Sequence, residues 1–211
     1  MEKFFGNMHI VHLQNIEKNG RIVIGNGGKE IFFLCLLHYN DTYKVNQQFT
    51  GGERKVINLN IQTAELALRE ASESNPGAWA DHSRFVAEAC KNIASHCKDL
   101  SSEQAYIFGL LHDIGRYAGV SSERHLIDGY RYCMERGWEK AAQICISHAF
   151  MIQDIATSIG VFDVSDEDYL FMKEFVANAV YDDYDHLVQL CDALAMPTGF
   201  CLLEKRFVDV T

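Results

Sequence analysis

Apolar residues recur every three to four positions through most of the chain after about residue 63. This spacing is typical of helices that bury one face. It predicts six or seven helices with few strands, and therefore a mainly α fold: a helical bundle over residues 61–211. The predicted helices span residues 63–73, 76–93, 101–112, 123–136, 138–148, 165–179 and 182–195.

Local signals mark where several of these helices begin and end. Pro76 is predicted in the first turn of its helix, where a missing N–H is harmless. Ser101 with Gln104 has the pattern of a capping box, and Ser165 opens another polar start signal. Pro197 is expected to stop the last helix.

The first sixty residues have a different composition, which is rich in glycine, asparagine and β-branched residues. Asn26-Gly27-Gly28 and Gly51-Gly52 are turn signals between short apolar runs. The pattern predicts a small β-rich region over residues 1–60, next to the bundle. Its predicted strands cover residues 8–13, 21–24, 31–38 and 55–59.

Composition narrows the class of protein. The chain has 211 residues, of which 48% are hydrophobic, enough for one medium domain or one domain with a small appendage. A net charge of −10 disfavours a nucleic-acid polymer as partner, because phosphate contacts need clustered Lys and Arg. The longest apolar run, residues 31–37, is too short to span a bilayer, so no membrane partner is expected.

The seven cysteines also bear on the compartment. Their number is odd and no two are spaced as C-x-x-C. Cys90, Cys133, Cys145 and Cys191 lie in apolar helical patterns. They are therefore expected to be buried, reduced thiols of a cytoplasmic protein.

Residues that suit a transition-metal site occur on, or directly after, five of the seven predicted helices. A lone histidine on an apolar face is more often a hydrogen-bonded core residue than a ligand. A carboxylate inside an apolar run is costly to bury unless it is paired or binds a metal. Their joint occurrence favours a metal centre, since imidazole nitrogen and carboxylate oxygen both bind Fe, Mn, Zn or Co. The candidates are His82, His112 with Asp113, His125, His148 and Asp192.

The order His82, His112-Asp113, Asp192 on a helical bundle resembles the HD-domain metal-dependent phosphohydrolases over about residues 72–200. His125 and His148 resemble the additional ligands of members that hold two metal ions. The resemblance implies a six-ligand, dinuclear-capable site in which Asp113 bridges two ions. His82, His112 and Asp192 would complete one ion, and His125 and His148 the other. It implies one or two divalent transition metal ions, iron first, with manganese, zinc, cobalt or nickel as alternatives.

The resemblance also implies a function. The expected reaction is hydrolysis of a nucleotide or other small phosphate ester by a metal-activated hydroxide, with Asp113 and Arg116 as the catalytic residues. Arg116, Arg84 and Arg124 are candidates for binding the substrate phosphate, although each also fits a solvated surface arginine. Two alternatives stay open: a mixed-valence di-iron oxygenase of the HD type, and a non-catalytic nucleotide-binding regulatory module. A homo-oligomer is also left open.

Overall fold

The computed structural model describes residues 57–203, and this part of the chain is mainly helical. It contains seven α-helices, two 3₁₀ helices and one antiparallel pair of two-residue strands, which confirms the prediction of a mainly α bundle. The predicted β-rich region lies outside the described residues except for residues 57–60, which contain no strand. The α-helices are α1 (Ile61–Ser74), α2 (Trp79–Ala94), α3 (Ser102–Leu111), α4 (Arg124–Glu135), α5 (Glu139–Ser147), α6 (Asp166–Asn178) and α7 (Asp183–Ala193). The 3₁₀ helices are Ile114–Ala118 and Ile155–Thr157, and the strands are β1 (Ala195–Met196) and β2 (Gly199–Phe200).

Side-chain caps fix the starts of several helices, as the sequence predicts. Ser101 accepts a hydrogen bond from the backbone N–H of Gln104, and Ser165 accepts one from that of Asp168. Both bonds satisfy donors that a helix start otherwise leaves unpaired. The expected capping box at Ser101 is only half present, because the Gln104 side chain instead accepts from the Tyr184 hydroxyl.

Two predicted helix boundaries are wrong. Helix α2 begins at Trp79, so Pro76 lies in the preceding turn and not in the helix. Asn75 holds this turn, since its carbonyl accepts from the Trp79 indole and its side chain donates to the Arg116 carbonyl. The last helix ends at Ala193, and the chain around Pro197 forms the β1–β2 hairpin.

The core lies where α2, α3 and α7 meet, with α4 and α5 packed alongside. A glycine lets α2 and α3 approach closely, because a Cβ at Gly109 would lie 2.8 Å from the Ala87 Cα. The four cysteines in apolar helical patterns are free thiols and fully buried, as predicted. Among the described helices, none has the length and apolar character needed to cross a membrane.

Candidate metal centre

The six predicted ligands come from five helices and meet in one place. Three of them stand at the carboxyl end of a helix, where the backbone turns away and leaves the side chain facing the core. All are buried except Asp192, whose side chain is 27% exposed and therefore lies at the edge of the cluster. Their positions are α2 for His82, the end of α3 for His112 and Asp113, the first turn of α4 for His125, the end of α5 for His148, and α7 for Asp192.

The cluster contains two overlapping groups. One potential ligand atom from each of His82, His112 and Asp113 lies within 4.8 Å of the others, and the same holds for Asp113, His125 and His148. Asp192 belongs with the first group, since its Oδ1 is 2.8 Å from His82 Nε2. Asp113 is shared by both groups. These buried groups could each hold a metal ion.

Backbone carbonyls fix the orientation of three of the imidazoles. Nδ1 of His112 donates to the Gly109 carbonyl at 2.7 Å, and Nδ1 of His148 donates to the Ile144 carbonyl at 3.1 Å. Nδ1 of His125 donates to the Ser122 carbonyl. A carbonyl can only accept, so each Nδ1 carries a proton and each ring directs its Nε2 away from that carbonyl. This is the arrangement that metal-binding histidines commonly have.

The three Nε2 atoms face carboxylate oxygens. From Asp113 Oδ1, His125 Nε2 is 3.2 Å away and His148 Nε2 is 3.8 Å away. From His112 Nε2, Asp192 Oδ1 is 3.8 Å away and Asp113 Oδ2 is 3.9 Å away. A lone pair opposite an anionic oxygen is unfavourable unless a cation lies between them.

Two atoms of this cluster lack a partner. His112 Nε2 and Asp113 Oδ1 are buried, and neither has a hydrogen-bond partner within residues 57–203. Buried polar atoms are otherwise nearly always paired, so an unpaired imidazole nitrogen beside an unpaired carboxylate oxygen calls for a ligand. The donor set of imidazoles and carboxylates fits a divalent transition metal ion.

Electrostatics hold these groups in the protonation state that metal binding needs. Burial lowers the pKa of His112 to about 4 and also lowers the pKa of His148. Burial alone would raise the pKa of Asp113, but its charged and polar neighbours, chiefly His112 and His125, outweigh it and hold this pKa well below its usual range. The Asp192 pKa is also lowered, because the hydrogen bond from His82 and the nearby histidines overcome the effect of burial. Near neutral pH, His112 and His148 are therefore neutral, and Asp113 and Asp192 are ionised.

Of the three arginine candidates, Arg116 lies in the cluster. Its Nε donates to Asp113 Oδ2 at 2.7 Å and its Nη2 donates to His125 Nε2 at 3.3 Å. With 30% of its side chain exposed, it joins the buried centre to solvent. Arg84 donates to the Ala80 carbonyl of its own helix, and Arg124 pairs with Asp128. Neither of these two contacts involves a predicted metal ligand.

Sequence reasoning missed two buried polar residues beside the cluster, Asp185 and Gln189 on α7. With Asp192 they occupy positions i, i+4 and i+7 of one helix, and therefore one face of it. Three amide or carboxylate side chains at this spacing, on a helix whose buried residues are otherwise apolar, were the signal that could have identified them. The sequence pattern indicated only the apolar face of this helix, which is formed by Leu187, Val188 and Cys191.

Comparison with known proteins yields one family. Residues 55–142 match the family model of the HDOD domain, an HD-related family distinct from the HD phosphohydrolases. The matched stretch includes His82, His112-Asp113 and His125, and it ends before His148 and Asp192. The match supports an HD-like helical fold for this part of the chain. No curated protein and no solved structure matches the chain.

Proposed function

We propose that this protein is a metal-dependent phosphohydrolase that acts on a nucleotide or another small phosphate ester. The observation that carries the proposal is the set of imidazole Nε2 atoms facing carboxylates, with His112 Nε2 and Asp113 Oδ1 buried and unpaired. The relationship of residues 55–142 to HD domains adds support. The family match ends before His148 and Asp192, so the assignment of six ligands rests on the positions of the side chains alone.

The two overlapping groups suggest which residues would hold each ion. His82, His112 and Asp192 would bind one ion, and His125 and His148 would bind the other, with Asp113 shared between them. Mixed nitrogen and oxygen ligation favours iron or manganese over magnesium or calcium. Bound divalent ions would supply Lewis-acid activation of a water molecule and of a phosphoryl oxygen.

Arg116 would bind the substrate phosphate. Its bond to Asp113 fixes the guanidinium beside the shared carboxylate, and its partial exposure leaves donors available towards solvent. A guanidinium matches the geometry of phosphate oxygens better than an ammonium group does. In a chain of net charge −10, this local positive group would counter the long-range repulsion of an anionic substrate.

The proposal is tested with the full chain, stripped of metal and reloaded with Mn²⁺ or Fe²⁺ without oxygen. Nucleotides, dinucleoside polyphosphates and p-nitrophenyl phosphate are screened for metal-dependent release of phosphate or nucleotide. Asp113→Asn should abolish turnover. Arg116→Ala should raise KM about 10–100-fold, as expected for losing hydrogen bonds to a charged group. Arg69→Ala, which removes an exposed arginine of α1, should leave KM unchanged.

Two results would overturn the proposal. Tight nucleotide binding without turnover in the metal-loaded protein would favour a regulatory module. Oxygen consumption by the iron-loaded protein, without phosphate release from any substrate, would favour the oxygenase.

A further inference from the structure

Helix α7 carries a buried polar stripe that extends beyond the candidate metal ligands. Asp185, Gln189 and Asp192 share one face of the helix, and Asp192 contacts His82 at the edge of the cluster. Asp185 is 0% exposed and Gln189 is 5% exposed. Such residues are rarely buried without a specific partner.

Gln189 bonds to the backbone on both sides of His148. Its Nε2 donates to the Ser147 carbonyl at 2.9 Å and to the Phe150 carbonyl at 3.3 Å. Helix α5 ends at Ser147, where the last carbonyls have no partner within the helix. A side chain from α7 therefore caps the turn that presents His148.

Asp185 ties the same turn to α7 a second time. Its Oδ1 accepts from the Ser147 hydroxyl at 2.6 Å, and its carboxylate also accepts from Lys140 and Gln143 of α5. Ser147 is thus held through its carbonyl by Gln189 and through its hydroxyl by Asp185. The residue that follows it is His148.

We propose that Gln189 and Asp185 are positioning residues that fix His148 so that its Nε2 faces Asp113. This inference rests on the metal centre of the proposed function. The face of α7 that carries Asp192, a candidate ligand of the first ion, also positions His148, a candidate ligand of the second ion. Residues next to metal ligands commonly matter in this way, and their loss costs about 10–100-fold in metal affinity.

The test uses Mn²⁺ alone, titrated into the metal-free full chain without substrate, with bound Mn²⁺ counted by electron paramagnetic resonance. The wild-type chain should bind two ions. Gln189→Met keeps the length of the side chain but removes its donor, and it should weaken the second ion about 10–100-fold. Gln153→Met is the matched control, because Gln153 Nε2 donates to the Val176 and Ala179 carbonyls at the end of α6. It should bind Mn²⁺ as the wild type does.

A double-mutant cycle separates positioning from a general structural effect. His148→Ala should remove the second ion, and adding Gln189→Met to it should have no further effect on binding of the first. The inference would be overturned if Gln189→Met lowered the affinity for the first ion equally in the wild-type chain and in the His148→Ala variant. Unchanged binding of both ions by Gln189→Met, or fewer than two ions on the wild-type chain, would also overturn it.

Circular dichroism checks that each variant is folded. Should Gln189→Met unfold, Asp185→Asn gives the same readout, because it keeps the shape of the side chain and weakens its bonds to Ser147 and Lys140. It should also weaken the second ion, and wild-type affinity would overturn the inference. A protein that hydrolyses no phosphate ester, yet loses the second Mn²⁺ in these variants, would refute the proposed function and leave this inference standing.

Discussion

Asp185 is a fully buried residue that nevertheless carries a negative charge. Burial would raise the pKa of its carboxyl. Hydrogen bonds from Lys140, Ser147, Gln143 and the Asp182 backbone outweigh burial and hold the pKa below its ordinary value of 3.8. The ionised form is therefore favoured in the folded state more than in the unfolded chain. This makes the contribution of Asp185 to stability depend on pH.

Asp185→Asn should lower the free energy of unfolding by about 2 kcal/mol near neutral pH, since it weakens several buried bonds to a charged group. Because the folded-state pKa is depressed, this contribution is present above the unfolded pKa, near 3.8. It is lost as the pH falls through the folded pKa. Urea unfolding of both proteins between pH 7 and pH 3 should show the difference shrinking in acid. Glu174→Gln, at an exposed position of α6, should change stability by less than about 0.5 kcal/mol at every pH. A difference that stays constant down to pH 3 would show that the charge of Asp185 is not what stabilises the fold.

At the residue level, the sequence singled out the six candidate ligands, which the structure brings together, but it did not single out the residues that support them. His112-Asp113 and Asp192 stand out locally, because a charged or ligand-type side chain within an apolar segment needs a partner. Gln189 acts on backbone carbonyls of another helix, and no sequence pattern identifies such an acceptor. Arg116 was found through its place after Asp113, whereas Arg84 and Arg124 have their described contacts elsewhere.

At the level of elements, the turn after Asp113 crosses α4 at very short range. A Cβ at Gly115 would lie 1.9 Å from the His125 carbonyl and 2.3 Å from the Gly129 nitrogen. Both obstacles are backbone atoms, which cannot move without shifting α4. Since α4 carries His125 in its first turn, the crossing sets the distance between His125 and Asp113.

Gly115→Ala should therefore destabilise the fold by about 1–3 kcal/mol, the usual cost of overpacking, and should also weaken the binding of a second Mn²⁺. Thermal unfolding and Mn²⁺ titration measure the two effects. Glu73→Ala, at an exposed position of α1, is the control for substitution by alanine. It should change neither quantity appreciably. Wild-type stability and Mn²⁺ binding in Gly115→Ala would contradict the crossing as described.

Apolar spacing and helix caps predicted the positions of the helices, but they did not predict the contacts between elements. The starts at Ser101 and Ser165 were readable because a cap acts within three residues of its own helix. The helix start predicted at Pro76 was wrong because a contact distant in sequence stabilises the turn there: the Asn75 side chain donates to the Arg116 carbonyl. The β1–β2 hairpin was missed because strands of two residues are too short to show alternation.

At the scale of the whole molecule, a metal ion bound at this centre would also stabilise the folded protein. The unfolded chain cannot bring residues from five helices together, so an ion that binds this centre binds the folded state. It would also give a partner to His112 Nε2 and to Asp113 Oδ1, two buried atoms that have no hydrogen-bond partner within residues 57–203. Metal loading should thus stabilise the protein even in the absence of any substrate.

The expected size follows from mass action. Free Mn²⁺ at about 100 times its dissociation constant adds about 2.7 kcal/mol. For a domain of this size, that corresponds to a rise in Tm of about 5–10 °C. Calorimetry of the metal-free protein, with and without Mn²⁺, should show this rise, and a chelator should reverse it. Asp113→Asn should melt at the same temperature with or without Mn²⁺, because it loses the carboxylate shared by both groups. An equal rise in that variant would mean that Mn²⁺ stabilises the protein from a site elsewhere, and the cluster around Asp113 would then not be the metal centre.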